Sequence, residues 1–468
     1  MTETQRKERD ADVLTTKSKV GFGVADFGFN LYYTGLSLFL LYYYTDVLEI
    51  RPAVAGLIFA IPLVWDAVTD PLMGAIAGRV RSNMGRYRPF ILFGTIPLAL
   101  AFVMMFAAPL IFTGAVVLSA AIAHIVFRTA YTVVSIPYSA LMASLTRKSE
   151  ERSQLAGVRM IFATLGGLFT VFATLPLASA IGGENLAAGF LWVAVIYAGI
   201  ASLLLWTTFA FTKEDPAALA GPIPDFRGAL PRLFKNKALL ILFGAIVLAS
   251  TGGAIFSKAL IYYVLYVAGL DLDVTLALIA LTASVSASIP LWMFAAKRLS
   301  KRATWMTGAS IGLSMQAIML LLPPQTVSGF LTLLVIMGLG NGAFYVMFWA
   351  MLPDTVEYGE WKTGVRDEGV VFGINQFALK AAAGVGIGVL GFMLEAVGYV
   401  ANADQTEATM AGLRLISIAM PMAFAVGALA IIAFYPLDGK THAEIVREID
   451  ARKKEAGELN GSNPVALT

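Results

Sequence analysis

The chain carries twelve apolar runs, at 21–45, 53–78, 89–110, 113–143, 154–182, 187–212, 237–268, 272–296, 304–323, 327–352, 369–400 and 409–436. A bilayer span needs roughly 20 predominantly apolar residues. In lipid, every backbone N–H and C=O must also be satisfied within the spanning structure. Runs of this length leave one fold class, an all-α membrane protein with twelve transmembrane helices. Composition agrees, since 58% of the 468 residues are hydrophobic and 14% charged, against about half and about a quarter in a soluble domain. The first 19 residues are polar, and the run behind them is too long for a signal-peptide core, so no cleaved signal is expected. There is no cysteine, which removes disulfides and thiolate chemistry.

The segments between the runs sort by charge. One set holds Arg79, Arg81, Arg86 and Arg88; Arg147, Lys148 and Arg152; Arg232, Lys235 and Lys237; Lys297, Arg298, Lys301 and Arg302; Lys362 and Arg366. The alternate segments are short and nearly devoid of Lys and Arg. The positive-inside rule makes the first set cytoplasmic. Arg6, Lys7 and Arg9 in front and Arg452, Lys453 and Lys454 behind put both termini on that side. The expected location is a bacterial inner membrane. The basic loops are explained by topology, so no nucleic-acid partner is expected.

The polar, proline-containing stretch 213–236, with Pro216, Pro222, Pro224 and Pro231, reads as a cytoplasmic linker. It separates six-helix bundles at 21–212 and 237–436, flanked by cytoplasmic tails at 1–20 and 437–468. The halves echo each other: Asp70–Pro71–Leu72 leads to Arg79 and Arg81, and Ile289–Pro290–Leu291 leads to Lys297 and Arg298. Repeated halves around a midplane site are a transporter architecture.

Polar residues recur at helical spacing inside the apolar runs: Asp26, Asn30, Tyr33, Thr34 and Ser37 in the first; Asp66, Thr69 and Asp70 in the second; Arg128, Thr132, Ser135 and Ser139 in the fourth. Arg159 follows in the fifth; Thr251, Lys258 and Tyr262 in the seventh; Asn341, Tyr345 and Trp349 in the tenth; Asn375, Gln376 and Lys380 in the eleventh. The Ser and Thr positions fit ordinary helix–helix hydrogen bonding as well. The charged ones do not, because intramembrane charge is costly and marks ion or substrate paths. The expectation is one aqueous cavity. Asp66 and Asp70 share a helix face and repel each other. With the Thr132 hydroxyl they offer hard oxygen ligands suited to Na⁺, Li⁺ or H⁺. Lys380 is a candidate partner for the two acids. Tyr345, Trp349 and Tyr262 offer flat faces that stack on a sugar ring or simply pack.

WDAVTDPLMG at 65–74, GRYRPF at 85–90, IPYSAL at 136–141, PDTVEYGEWKTGVRDEG at 353–369, and YYYTDV at 42–47 resemble the glycoside–pentoside–hexuronide:cation symporters. These form a branch of the major facilitator superfamily whose best-known member is the melibiose permease, and the likeness covers nearly the whole chain. It implies the major facilitator fold and Na⁺-, Li⁺- or H⁺-coupled symport by alternating access. It implies Asp66, Asp70 and Thr132 as cation ligands, Lys380 as the coupled base and Arg159 as a sugar contact. Tyr345 falls where the melibiose permease has a stacking tryptophan. Asn30 and Ser135 stand where that permease has acids, Ser139 where it has a tryptophan, and Arg128 and Lys258 where it has small residues. Two acids lost and two bases gained favour an anionic ligand. The expected substrate is an acidic sugar: a hexuronide, an oligouronide or a sulfonated sugar.

The expected substrate residues are thus Asp26, Asn30, Arg128, Ser135, Arg159, Lys258, Tyr345, Trp349 and Gln376. Gly85 and Arg86 to Arg88 are expected to close a cytoplasmic gate with Asp354, Glu357 and Arg366. A lysophospholipid-type amphiphile symporter and a non-transporting sugar sensor are the competing readings. An enzyme is not expected, because the sequence shows no metal-ligand cluster, nucleophile–base set or nucleotide loop. No cofactor beyond the coupling cation is expected, and the chain is read as a monomer.

Overall fold

The structure, a computed structural model, describes residues 14–146, 149–214 and 226–455. Twelve long helices follow one another: α1 Thr16–Tyr42, α2 Pro52–Arg79, α3 Arg88–Ile111, α4 Val116–Leu145, α5 Ser149–Gly182, α6 Leu186–Phe211, α7 Lys237–Tyr266, α8 Val274–Ala295, α9 Lys301–Leu321, α10 Val327–Thr363, α11 Glu368–Ala396 and α12 Glu407–Ile432. A thirteenth, α13, spans Gly439–Glu455. Ten of the twelve are apolar enough throughout an 18-residue window to cross a bilayer. The other two, α1 and α9, are diluted by polar residues such as Asp26 and Asn30 in α1 and Gln316 in α9. The polar stripe that suggests a cavity is thus also what lowers the hydropathy of α1.

Small polar residues start several helices by accepting a hydrogen bond from a backbone N–H of the first turn. Thr15 accepts from Ser18, Asn185 from Ala188, Ser300 from Ala303, Thr326 from Gly329 and Thr406 from Thr409. Asp438 plays the same part before α13, and the N–H of Thr441 holds its carboxyl below the usual range. A π-helical turn at Leu415–Ala419 interrupts α12 just before Pro421. Helix α10 runs beyond its apolar part, through Pro353, to a left-handed cap at Gly364 with φ of 74°. Apolarity marks the bilayer and not the helix, so the span expected to end at 352 continues as helix to Thr363.

The helices group into two compact units. One comprises Met1–Pro222, Ala254–Ile279 and Gly384–Ser417, and the other Ile223–Gly253, Ala280–Ala383 and Ile418–Thr468. In the first, α1 packs along α5 and α6, and α4 lies between α2 and α3. In the second, the expected linker contains a short helix, Phe226–Leu233. There Arg232 clasps Asp367 through two bonds of 2.6 Å, and the Asn236 side chain donates to Thr355 O at 2.7 Å. Pro216, Pro222 and Pro224, the loop residues Arg147 and Lys148, and Arg6, Lys7 and Arg9 of the N-terminal tail lie outside the described residues.

Lipid offers no hydrophobic reason for helices to associate, so close packing of small residues does much of that work. Gly338 and Gly342 on α10 face Ser284 and Ser288 on α8, each pair one turn apart. A Cβ on Gly338 would lie 1.9 Å from Ser284 Oγ and 2.7 Å from Leu281 O. The hydroxyl could rotate, but the backbone oxygen could not. Gly338→Val is therefore expected to destabilise the protein by about 1–3 kcal/mol through overpacking. Thermal unfolding of the purified protein checks this, and an unchanged midpoint would contradict the close approach.

Candidate substrate and cation site

Within the first unit a cavity of about 230 Å³ opens among α1, α4 and α5. Its polar wall is Asp26 and Asn30 from α1, Ser135 and Ser139 from α4, and Arg159 from α5. Its aromatic wall is Phe29, Tyr33, Tyr131 and Tyr138. The structure thus brings together six residues that the sequence stripes place in one cavity: Asp26, Asn30, Tyr33, Ser135, Ser139 and Arg159. Tyr131 and Tyr138 were not singled out, although each immediately precedes a stripe residue, Thr132 or Ser139. A stripe read one position wider would have included both.

The charges in this wall are paired. Arg159 donates to Asp26 through Nε at 2.7 Å and Nη2 at 3.1 Å, a bidentate clasp. The Tyr138 hydroxyl also donates to Asp26, and its ring lies 4.8 Å from the Arg159 guanidinium carbon. Asn30 turns its amide N–H to Asp26 O at 2.8 Å and accepts from Thr34 at 3.3 Å.

Beside this cavity α2 and α4 meet in two rungs. Thr132 Oγ1 donates to Asp70 Oδ1 at 2.7 Å. One turn along both helices, Arg128 Nη2 donates to Asp66 Oδ2. Arg128 and Asp66 are 5% and 1% exposed, which makes this a buried ion pair. Of the expected cation ligands, Asp70 and Thr132 are thus bonded to each other, while Asp66, one turn away, is paired with Arg128, whose guanidinium lies 5.9 Å from the ring of the cavity residue Tyr131. Lys258, on α7, is also buried, and among the described residues its hydrogen bond goes to Ser257 Oγ at 3.2 Å.

The second unit carries the remaining expected residues. Tyr345 and Trp349, one turn apart on α10, are 54% and 47% exposed. Gln376 is exposed and Lys380 half-buried on α11, while Asn375, next to Gln376, is fully buried and bonds back to Val371 O at 3.0 Å.

Several bonds of the expected gate residues lie within one unit. The N–H groups of Arg86, Tyr87 and Arg88 point at Glu214 at 2.7–3.0 Å, a carboxylate seated at the N-terminus of α3. The Arg88 guanidinium bonds Met84 O and Phe209 O and stacks on the Phe209 ring. Asp354 accepts from Lys301 at 2.8 Å, Glu357 meets His442 at 2.5 Å, and Arg366 meets Glu360 at 3.1 Å.

A further polar cluster closes the opposite end of the first unit. Asp46, in the turn after α1, accepts from Tyr266 at 2.7 Å and from Tyr399 at 2.5 Å, both to Oδ1. Thr45 donates to its other oxygen at 2.6 Å and lies 2.8 Å from the Tyr262 hydroxyl. Burial pushes the Asp46 carboxyl up, against the hydrogen bonds that hold it down. Tyr262, read as a possible stacking face, is engaged here instead.

Asp26→Asn would leave the Arg159 guanidinium without its carboxylate. Breaking a buried pair on one side costs about 3–5 kcal/mol, and Arg159 is partly solvated, so the low end of that range is expected in thermal or denaturant unfolding. An unchanged midpoint would show that the clasp contributes nothing.

The chain matches the family model described as MFS/sugar transport protein over residues 21–439. It is 31% identical over 450 residues to a glucuronide carrier protein homolog of Escherichia coli strain K12, covering 95% of this chain and 98% of that one. It is 30% identical over 455 residues to an isoprimeverose transporter of Lactiplantibacillus pentosus, covering 94% and 92%. Among solved structures, an inward-facing bacterial homolog of the human lysosomal transporter Spinster superposes with a TM-score of 0.68 at 13% identity, covering 93% and 99%. That last likeness is one of fold. The matching proteins are transporters and not enzymes. The twelve helices, the family match and the two relatives together show that this chain belongs to the MFS/sugar transport protein family, as an integral membrane sugar transporter of the symporter type its motifs resemble.

Proposed function

We propose that the protein is a cation-coupled symporter of an acidic sugar, such as a hexuronide or a sulfonated sugar. It works by alternating access as a monomer in a bacterial inner membrane, with both termini cytoplasmic. The observation that carries the reading is the cavity wall, where hydroxyl, amide and guanidinium donors face four aromatic rings. Sugar sites need convergent polar groups for hydroxyls and flat apolar faces for the ring. The acidic preference rests on Arg159 in that wall, on Arg128 beside it and on buried Lys258. The glucuronide carrier homolog supports it, whereas the isoprimeverose transporter is equally similar, so identity alone does not choose.

In this reading Na⁺, Li⁺ or H⁺ is taken up by Asp66 and Asp70, with Thr132 as a third ligand for a metal cation. Lys380 answers the loss of that cation, and Tyr345, Trp349 and Gln376 complete the sugar site. Arg86, Arg88, Asp354, Glu357 and Arg366 serve the cytoplasmic gate, where each exposed ion pair contributes roughly 1 kcal/mol or less. Cation and sugar tighten each other's binding by the same factor, as linkage requires.

The test is uptake of radiolabelled glucuronide by proteoliposomes under an inward Na⁺, Li⁺ or H⁺ gradient. One of these gradients is expected to drive accumulation, and Asp70→Asn to abolish it. Full accumulation in that variant would refute the cation site. Accumulation of neutral glycosides alone would refute the acidic substrate.

A further inference from the structure

The formal charges in the cavity wall cancel. Among the described residues that line it, Asp26 and Arg159 are the only two that carry one. The acid spends both oxygens on the pair. Oδ1 accepts from Nη2, and Oδ2 accepts from Nε and from the Tyr138 hydroxyl. This is the two-bond geometry in which a guanidinium holds carboxylates in general. Asp26 therefore fills the side of Arg159 that a sugar acid would take. The third nitrogen, Nη1, reaches only Met142 Sδ among the described residues, at 4.0 Å. The Arg159 side chain is 23% exposed and that of Asp26 12%, so the arginine is the more open member of the pair. The rings of Tyr138 and Phe22, 4.8 and 5.7 Å from the guanidinium carbon, keep it in place.

We propose that Asp26 sets the substrate specificity of this cavity by standing in for the substrate's acid group at Arg159. The inference rests on the acidic-sugar reading and adds the carboxylate that limits the preference for acids. With Asp26 in place the wall has no net charge, and Arg159 offers Nη1 to a sugar hydroxyl or to an acid oxygen. Without that carboxylate the guanidinium stays charged, because arginine keeps its proton. The wall then carries a whole positive charge in a site poor in water, where Coulomb attraction is strong. A ligand carboxylate also gains the vacated side of the fork. A neutral sugar gains neither. Asp26 is a positioning residue as well, since its two bonds fix the plane of the guanidinium.

The experiment compares two ligands that differ only in a carboxylate against a hydroxymethyl group, p-nitrophenyl glucuronide and p-nitrophenyl glucoside. Each is titrated against the purified full chain at one pH and one Na⁺ concentration. Binding is read as thermal stabilisation, whose size follows ligand affinity. The quantity of interest is the ratio of the two half-saturating concentrations. In Asp26→Asn the preference for the glucuronide is expected to rise at least tenfold over the wild type, through tighter glucuronide binding. Asp26→Glu, which returns the charge, is expected to bring the ratio back towards the wild-type value. An unchanged ratio in Asp26→Asn, or equal weakening of both ligands, overturns the proposal, because a clasp that only supports the fold would move both alike. Should Asp26→Asn not survive purification, the ratio is measured in native membranes by competition with radiolabelled glucuronide, with Asp26→Ser as a second variant. The same tenfold rise is expected there, and an unchanged ratio again overturns the proposal. A wild type that prefers the glucoside refutes the acidic-sugar reading, while a tenfold shift in Asp26→Asn still supports this inference. A wild type and variants that bind neither compound overturn both.

Discussion

Charge buried in a medium of low dielectric constant must be answered by opposite charge close by, and the first unit is arranged around that constraint. At an effective dielectric constant near 20, two unit charges 4 Å apart interact by about 4 kcal/mol, and an uncompensated one costs more than most single contacts supply. Asp26 and Asp66 are held on separate helices, and each is met by an arginine from a third or fourth helix: Arg159 from α5 and Arg128 from α4. These two pairs stitch α1 to α5 and α2 to α4. Tyr138 of α4, which donates to Asp26, joins the polar stripes of α1 and α4 in one cavity wall.

Elsewhere the contacts are those expected where apolar surface gives no net drive to association. Gly338 and Gly342 let the backbone of α10 approach Ser284 and Ser288 on α8, and Trp292 Nε1 adds a bond of 2.6 Å to Leu339 O. At the water-exposed end of α10, Trp361 bonds Glu448 and Arg452 bonds Trp361 O, so α13 is held against that helix. Rigid packing and polar stitching divide the work: the first sets helix spacing, and the second sets which faces turn inward.

Much of the candidate site was legible before any coordinates. Asp66 and Asp70 at a spacing of four identify a shared face, and the steps of Arg128, Thr132, Ser135 and Ser139 identify another. The structure places those faces against each other and beside the cavity. Tyr131 and Tyr138 were missed because a Tyr inside an apolar run reads as packing, and only neighbours from other helices make it a wall. The pairing of Arg128 with Asp66 was not legible either. The two residues are 62 positions apart, and the sequence left open which acid a buried arginine would choose. The same holds for Asp46, whose tyrosine partners lie at 266 and 399, far along the chain.

The sequence by itself determined that this protein crosses a membrane as a bundle of helices, because twelve apolar runs can satisfy their backbones in lipid in no other way. It also determined which residues are too costly to bury without purpose, since the penalty for intramembrane charge belongs to the residue type. Only the tertiary structure decided how those charges are distributed between partners. Ion pairing depends on helix rotation and on separations of a few ångströms, which periodicity along one helix does not encode. The sequence thus supplied two acids and two arginines. The fold decided that one arginine closes the cavity wall onto Asp26 while the other pairs with Asp66.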